Sequence, residues 1–256
     1  MSVLNDAARA ALDEIVSRQD PTIVGLVLSG SAARGDMATE HSDVDVYVVR
    51  DDDVERETSH SPELDEIYWS VADLEHVDRH GTGDWYFRWS FAYSQVLRDD
   101  TGGRVTEAVR RQATVDNDEQ RWVLVDQDRL DGYINFAYRA LKNHRDGRDL
   151  ETRLDAAESL DWLLHVVFTL AGRVRPYNKY LPWELREHPL AVPEWSADAF
   201  LPELELMLAG DAAAIRRSFA VVDREVRAWD AAHDTTACGD LIDDWGEELR
   251  IFQRTT

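Results

Sequence analysis

Residues Leu28–Val49 read LSGSAARGDMATEHSDVDVYVV, and the fold turns on how this stretch divides. Leu28 ends an apolar run, Ile23–Leu28 (IVGLVL), and the stretch closes on a second, β-branched run, Val44–Val49 (VDVYVV). Both have the length and composition of strands with one or both faces buried. Between them, Gly30 has no Cβ, so the backbone there can turn sharply and come close to a ligand. Ser31 and the N–H groups that follow can bind a phosphate at a helix N-terminus. Asp43 and Asp45 stand two apart on a strand, which directs both carboxylates to one face. Two such carboxylates repel each other unless a cation lies between them. The natural cation is Mg²⁺, which takes one or two carboxylates together with phosphate oxygens.

Working outward, Ala7–Val16 has helical spacing of apolar residues, with Asn5 or Asp6 as N-cap. A third strand is expected at Ile67–Val71 (IYWSV), after the acidic loop Asp51–Glu57 and the turn at Ser61-Pro62. Past Thr101-Gly102-Gly103 the β-branched clusters give way to Ala, Leu and Arg at helical spacing. Helices are expected near 118–146, 151–171, 196–208, 211–230 and 241–253, with Leu154, Ala157, Leu160, Leu164, Val167 and Leu170 as the apolar stripe of the second. The fold class is therefore α+β: a small mixed-sheet core over 1–115, then an all-helical bundle over 116–256. A site in a cleft between the two is expected.

Composition excludes several functions. The 256 residues carry 51 acidic and 28 basic side chains, a net charge of −23, which repels a phosphate backbone and argues against nucleic acid as partner. The longest apolar stretch, Trp162–Ala171, is interrupted by His165 and is shorter than the roughly 20 residues of a membrane span. One cysteine, Cys238, cannot form an internal disulfide, and the N-terminus lacks a basic segment followed by an apolar one, so a cytoplasmic protein, monomeric or homodimeric, is expected. With 32 Asp, 19 Glu, 26 Arg and 2 Lys, the composition points to a salt-adapted or high-GC source.

The joint pattern of strand, Gly30-Ser31, an eleven-residue gap and Asp43-Val44-Asp45 entering a strand resembles the DNA-polymerase-β-type nucleotidyltransferase superfamily. Its SAARG…SDVDVYVV spacing is most similar to the antibiotic, aminoglycoside-type branch. The resemblance implies a third carboxylate on a neighbouring strand, to complete a metal site with Asp43 and Asp45. Glu66, immediately before IYWSV, is the expected residue. Asp65 points to the opposite face and Glu63 shares a face with Asp65, so strand parity decides among them.

Arg34 contacts a phosphate bidentately or pairs with Asp36 or Glu40 on the surface. With lysine so scarce, Lys179 in RPYNKYLPWEL is the candidate for a triphosphate-binding Lys of the kind related transferases supply from their helical domain. It is otherwise a structural loop residue, as Lys142 is expected to be. Glu158, on a stripe with Asp155, Asp161 and His165, is the candidate substrate anchor or base, or else part of a solvated face.

The implied activity is Mg²⁺-dependent transfer of AMP from ATP to a hydroxyl of a small molecule such as an aminoglycoside, with release of pyrophosphate and a consequence in antibiotic resistance. The alternatives are a protein or tRNA acceptor, as in toxin–antitoxin relatives, and a non-catalytic nucleotide sensor.

Overall fold

The run Ile23–Leu28 forms β1 and pairs antiparallel with β2 (Val44–Arg50), as the flanking turn at Gly30-Ser31 requires. The structure is a computed structural model that describes residues 4–51 and 56–253. The chain divides into two compact units, Met1–Thr114 and Val115–Thr256.

In the first unit, β3 (Ser59–His60), β4 (Leu64–Ser70) and β5 (Gln95–Asp99) complete a five-stranded mixed sheet in the order β3-β4-β2-β1-β5. The β2–β4 pair is parallel and the others are antiparallel. α1 (Asp6–Ser17), capped by the Asn5 side chain, buries Ala8 and Ile15 against Leu26, Leu28, Val44, Val46 and Val48. The opposite face, with Val27, Tyr47 and Val49, is covered by residues of α2 (Val71–Glu75), α3 (Arg88–Phe91) and α4 (Arg104–Gln112). β2 is therefore buried on both faces, which is why its apolar residues run almost without a break. Asp45 is the exception, half-buried at the end of the strand.

β4 begins three residues earlier than the β-branched run suggests and ends before Val71. Ser70 accepts from the Asp73 N–H while Asp73 accepts from the Ser70 N–H, a capping box that starts α2 in place of a longer strand. β3 and β5 escape a reading by hydrophobic pattern because they are short, polar edge strands.

The second unit is helical: α5 (Asn117–Arg121), α6 (Arg129–Arg145), α7 (Asp149–Leu170), α8 (Leu181–Glu187), α9 (Ala197–Leu208), α10 (Ala212–Ala232), α11 (Ala237–Asp243) and α12 (Arg250–Gln253). The single helix expected over 118–146 is broken. A π-helical turn at Trp122–Asp126 leads to Asp128, whose φ of 54° is left-handed, and α6 starts afresh after it. The stripe expected on α7 is also rotated at its N-terminal end: Leu154 is 61% exposed, while Thr152, Asp155, Ala156 and Ser159 are buried. Asp155 can be buried because Asn143 donates to it at 2.7 Å and Arg139 lies 3.2 Å away. No helix among the described residues is long and apolar enough to cross a membrane.

Candidate active site

Where β1 ends, the chain comes against the carboxylate that opens β2. Ser29 N–H donates to the Asp45 carbonyl at 2.8 Å, which extends the β1–β2 ladder by one step. Gly30 then takes a φ of +61°, and a Cβ built there would lie 1.8 Å from Asp45 Oδ2. Only glycine lets the backbone turn here and still meet that carboxylate. A buried 3-10 turn, Ser31–Ala33, follows directly. The Gly-Ser turn and the Asp pair, eleven residues apart in sequence, are thus one structure. Asp43 precedes the strand and is exposed.

The parallel ladder between β2 and β4 sets Asp45 opposite Asp65 and Val46 opposite Glu66. Residues in register share a face of the sheet, so Asp65, and not Glu66, is the carboxylate beside Asp45. Across the other edge of β4, His60 is in register with Asp65, and its Nδ1 lies 2.9 Å from Asp65 Oδ2. Asp45, Asp65 and His60 therefore form a row across three strands, with Gly30 against Asp45 just past the end of β1.

The expectation for Glu66 is corrected by the same register. Glu66 faces the side covered by α1, where Arg18 donates to both carboxylate oxygens at 2.7 and 3.0 Å and the Tyr68 hydroxyl donates at 2.6 Å. The Arg18 hydrogen bonds, helped by Tyr68, hold the Glu66 carboxyl below its usual range despite its burial. Glu66 ties the end of α1 to the sheet.

Arg34 is also corrected. Its side chain is 1% exposed, and it donates to the carbonyls of Gly30, of Ser90 at 2.9 Å and of Ala92 at 2.8 Å, with its guanidinium 4.3 Å from the Trp89 ring centroid. It is therefore a buried residue whose guanidinium is turned to backbone carbonyls, not a surface cation. It fixes the Gly30 carbonyl from inside, a task that suits a planar fork of donors. Ser90 joins the same scaffold: its backbone carbonyl accepts from Ser29 Oγ at 2.7 Å, and its hydroxyl is 2.6 Å from the Tyr47 hydroxyl. Burial pushes the Tyr47 hydroxyl up to about 12, and the negative charge of Asp45 pushes the same way.

Residues 10–83, which include Gly30, Ser31, Asp43, Asp45 and Asp65, match the family model described as the nucleotidyltransferase domain. The matched segment lies in the first unit and is similar to a nucleotidyltransferase domain. A comparison with curated proteins returns no match. Among solved structures, the chain is similar to a nucleotidyltransferase-like protein from Exiguobacterium sibiricum 255-15, with 13% identity, 93% of this chain and 89% of that chain covered, and a TM-score of 0.35.

Within the matched segment, the carboxylates at the ends of β2 and β4, beside the turn that follows β1, are where the motif's chemistry can take place. The donors there are oxygens of Asp43, Asp45 and Asp65, the set that hard divalent cations prefer. Among the described residues no group of three or more His, Cys, Asp or Glu side chains is already drawn together as a metal cage. His60 is not apparent from sequence, because a two-residue strand between turn residues carries no periodic signal.

Lys179 and Glu158 belong to the second unit. Lys179 is exposed on the 3-10 turn Asn178–Tyr180, with Nζ 5.0 Å from the Tyr180 ring centroid, and Glu158 is exposed on α7. Lys142, on α6, has its Nζ 5.0 Å from the Tyr138 ring centroid.

Proposed function

We propose that this nucleotidyltransferase moves AMP from ATP to a hydroxyl of a small, cationic acceptor of the aminoglycoside class. The observation that carries the reading is the apposition of Gly30 and Asp45, with Asp65 in register beside them. Gly30 and Ser31 present backbone N–H groups and a hydroxyl to the triphosphate. Asp43 and Asp45 would hold Mg²⁺, with Asp65 beside them, and the ion would neutralise phosphate charge and favour the ionised acceptor hydroxyl. Asp65, in the place expected for Glu66, accepts the acceptor's proton. The acceptor oxygen forms its bond to the α-phosphorus as the bond to the bridging oxygen breaks, and pyrophosphate leaves.

The acidic chain supports a cationic acceptor, because an excess of carboxylates raises the local concentration of cations. Lys179 is proposed as a cation for the triphosphate and Glu158 as an anchor for the acceptor. Incubation with Mg²⁺ and labelled ATP against aminoglycosides, other hydroxylated antibiotics and cell extract, scored by mass shift and pyrophosphate release, tests the reading. A +AMP adduct on an aminoglycoside supports it. An adduct confined to protein or tRNA, or ATP binding without pyrophosphate release, overturns the acceptor assignment.

A further inference from the structure

The second unit draws two largely buried arginines onto one carboxylate. Arg129 opens α6, and Arg175 lies in the segment after α7; both reach Asp161 of α7. Arg175 Nη2 is 3.0 Å from Asp161 Oδ1, Arg129 Nη1 is 3.7 Å from Oδ2, and His165 Nε2, one turn further on, is 3.8 Å from the same oxygen. The Arg side chains are 23% and 15% exposed, whereas the Asp161 side chain is 52% exposed. The guanidiniums are thus withdrawn from water while the carboxylate they share faces it. The Nε–H of each is buried and meets no acceptor among the described residues.

Two further observations run against a purely structural role. Burial weighs against the charge on both guanidiniums, and Asp161 and Arg129 act on Arg175 in opposite senses, the carboxylate favouring its charge and the guanidinium opposing it. Arg129 also stands in the first turn of a 17-residue helix, where the macrodipole disfavours a cation and favours an anion. Stacking on Trp162, with the guanidinium 4.5 Å from the ring centroid, holds it in place. Asn178 Oδ1 and the Pro176 carbonyl, which accept from Arg175 at 2.8 and 3.2 Å, orient the second fork. In a chain of net charge −23, two desolvated arginines held together in this way call for a further negative charge.

We propose that Arg129 and Arg175, with His165 beside them, form a binding site for a phosphate-type oxyanion, seated where Asp161 now reaches. Two guanidinium forks match the edges of a tetrahedral oxyanion, and a dianion balances their charge. The half-exposed Asp161 carboxylate stands in for the ligand and moves into water when it binds. The source is either a free phosphate or the tail of a larger phosphorylated molecule.

The test is calorimetric titration of the full chain with inorganic phosphate, pyrophosphate, ATP and adenosine, at low ionic strength and with EDTA. Phosphate or pyrophosphate should bind, adenosine should not, and Arg129→Gln and Arg175→Gln should each weaken binding about tenfold. Asp161→Asn removes the competing carboxylate and should tighten binding by at least about threefold, the opposite of what loss of a structural ion pair would do. If an arginine variant fails to fold, Asp161→Asn alone decides. ATP that follows the arginine variants identifies a phosphorylated tail as the ligand, and ATP that ignores them identifies free phosphate. Absence of phosphate and pyrophosphate binding, arginine variants that bind as wild type, or an Asp161→Asn variant that binds no tighter would overturn the proposal. The titration contains neither metal nor acceptor, so its outcome is independent of whether the N-terminal unit transfers AMP to an aminoglycoside.

Discussion

At Gly30 the φ of +61°, and a carboxylate oxygen that would stand 1.8 Å from any Cβ, leave room for hydrogen alone. Gly30→Ala should cost about 1–3 kcal/mol for a positive-φ, extended backbone (ψ −157°) that is essentially confined to glycine, with displacement of Asp45 added to it. Its melting temperature should drop modestly, and nucleotidyl transfer should drop far more. Glu66→Gln should do the reverse. Loss of a charged hydrogen-bonding partner for Arg18 should cost about 1–3 kcal/mol of stability while transfer stays near wild type. The pH dependence has a definite sign. The folded-state value of Glu66 lies below its usual 4.5, so its contribution is fully present above that value and is lost as pH falls through the lowered one. Acid titration of stability should therefore be shallower in Glu66→Gln than in wild type.

Single residues also show what the sequence can and cannot reveal. Gly30, Ser31, Asp43 and Asp45 are legible because motif residues only eleven apart are bracketed by two apolar runs. The choice between Asp65 and Glu66 is not, because a shift of one residue along β4 exchanges the two faces and only the β2–β4 register fixes it. Arg34 reads as a surface cation because its charge gives no hint that four backbone carbonyls, of Gly30, Trp89, Ser90 and Ala92, accept from it inside the protein.

At the scale of elements, α6 and α7 meet at a glycine. A Cβ on Gly132 would lie 2.2 Å from Trp162 Cε3, so the two helices approach as closely as the absence of a side chain allows. Gly→Ala in a helix interior ordinarily stabilises by about 1 kcal/mol. Here overpacking of about 1–3 kcal/mol opposes it, and because the ring is held by Arg129 as well, the clash should win. Gly132→Ala should melt at a lower temperature than wild type, which differential scanning calorimetry would read directly. Helix content in this half is legible from 3.6-residue spacing, but helix ends are not. The break at Asp128 depends on a left-handed residue with no glycine to announce it, and the rotated face of α7 depends on Asn143 and Arg139 satisfying Asp155.

At the scale of the whole molecule, the net charge of −23 acts in two directions. Exposed carboxylates are repeatedly gripped by both arms of an arginine, as in Arg104–Glu75, Arg217–Glu203 and Arg224–Glu194. This bidentate use gives one physical reason for 26 Arg against 2 Lys. Salt weakens such exposed pairs, each worth about 1 kcal/mol or less, but it also screens the excess of negative charge, which is the larger effect here. The melting temperature should therefore rise with KCl concentration, and a fall would mean that the ion pairs outweigh the repulsion.

In the proposed reaction Asp45 and Asp65, in register beside Gly30, carry the chemistry, while Glu66 one residue away carries only structure. Pyrophosphate release from Mg-ATP with an acceptor found by the mass-shift screen, compared among wild type, Asp45→Asn, Asp65→Asn and Glu66→Gln at equal folded concentration, tests it most directly. Asp45→Asn and Asp65→Asn should each lose activity by on the order of 10²-fold or more, the scale of removing a preorganised charged group, with Glu66→Gln within a few-fold of wild type. Retained activity in Asp45→Asn, or a loss in Glu66→Gln as large as that in Asp65→Asn, would contradict it.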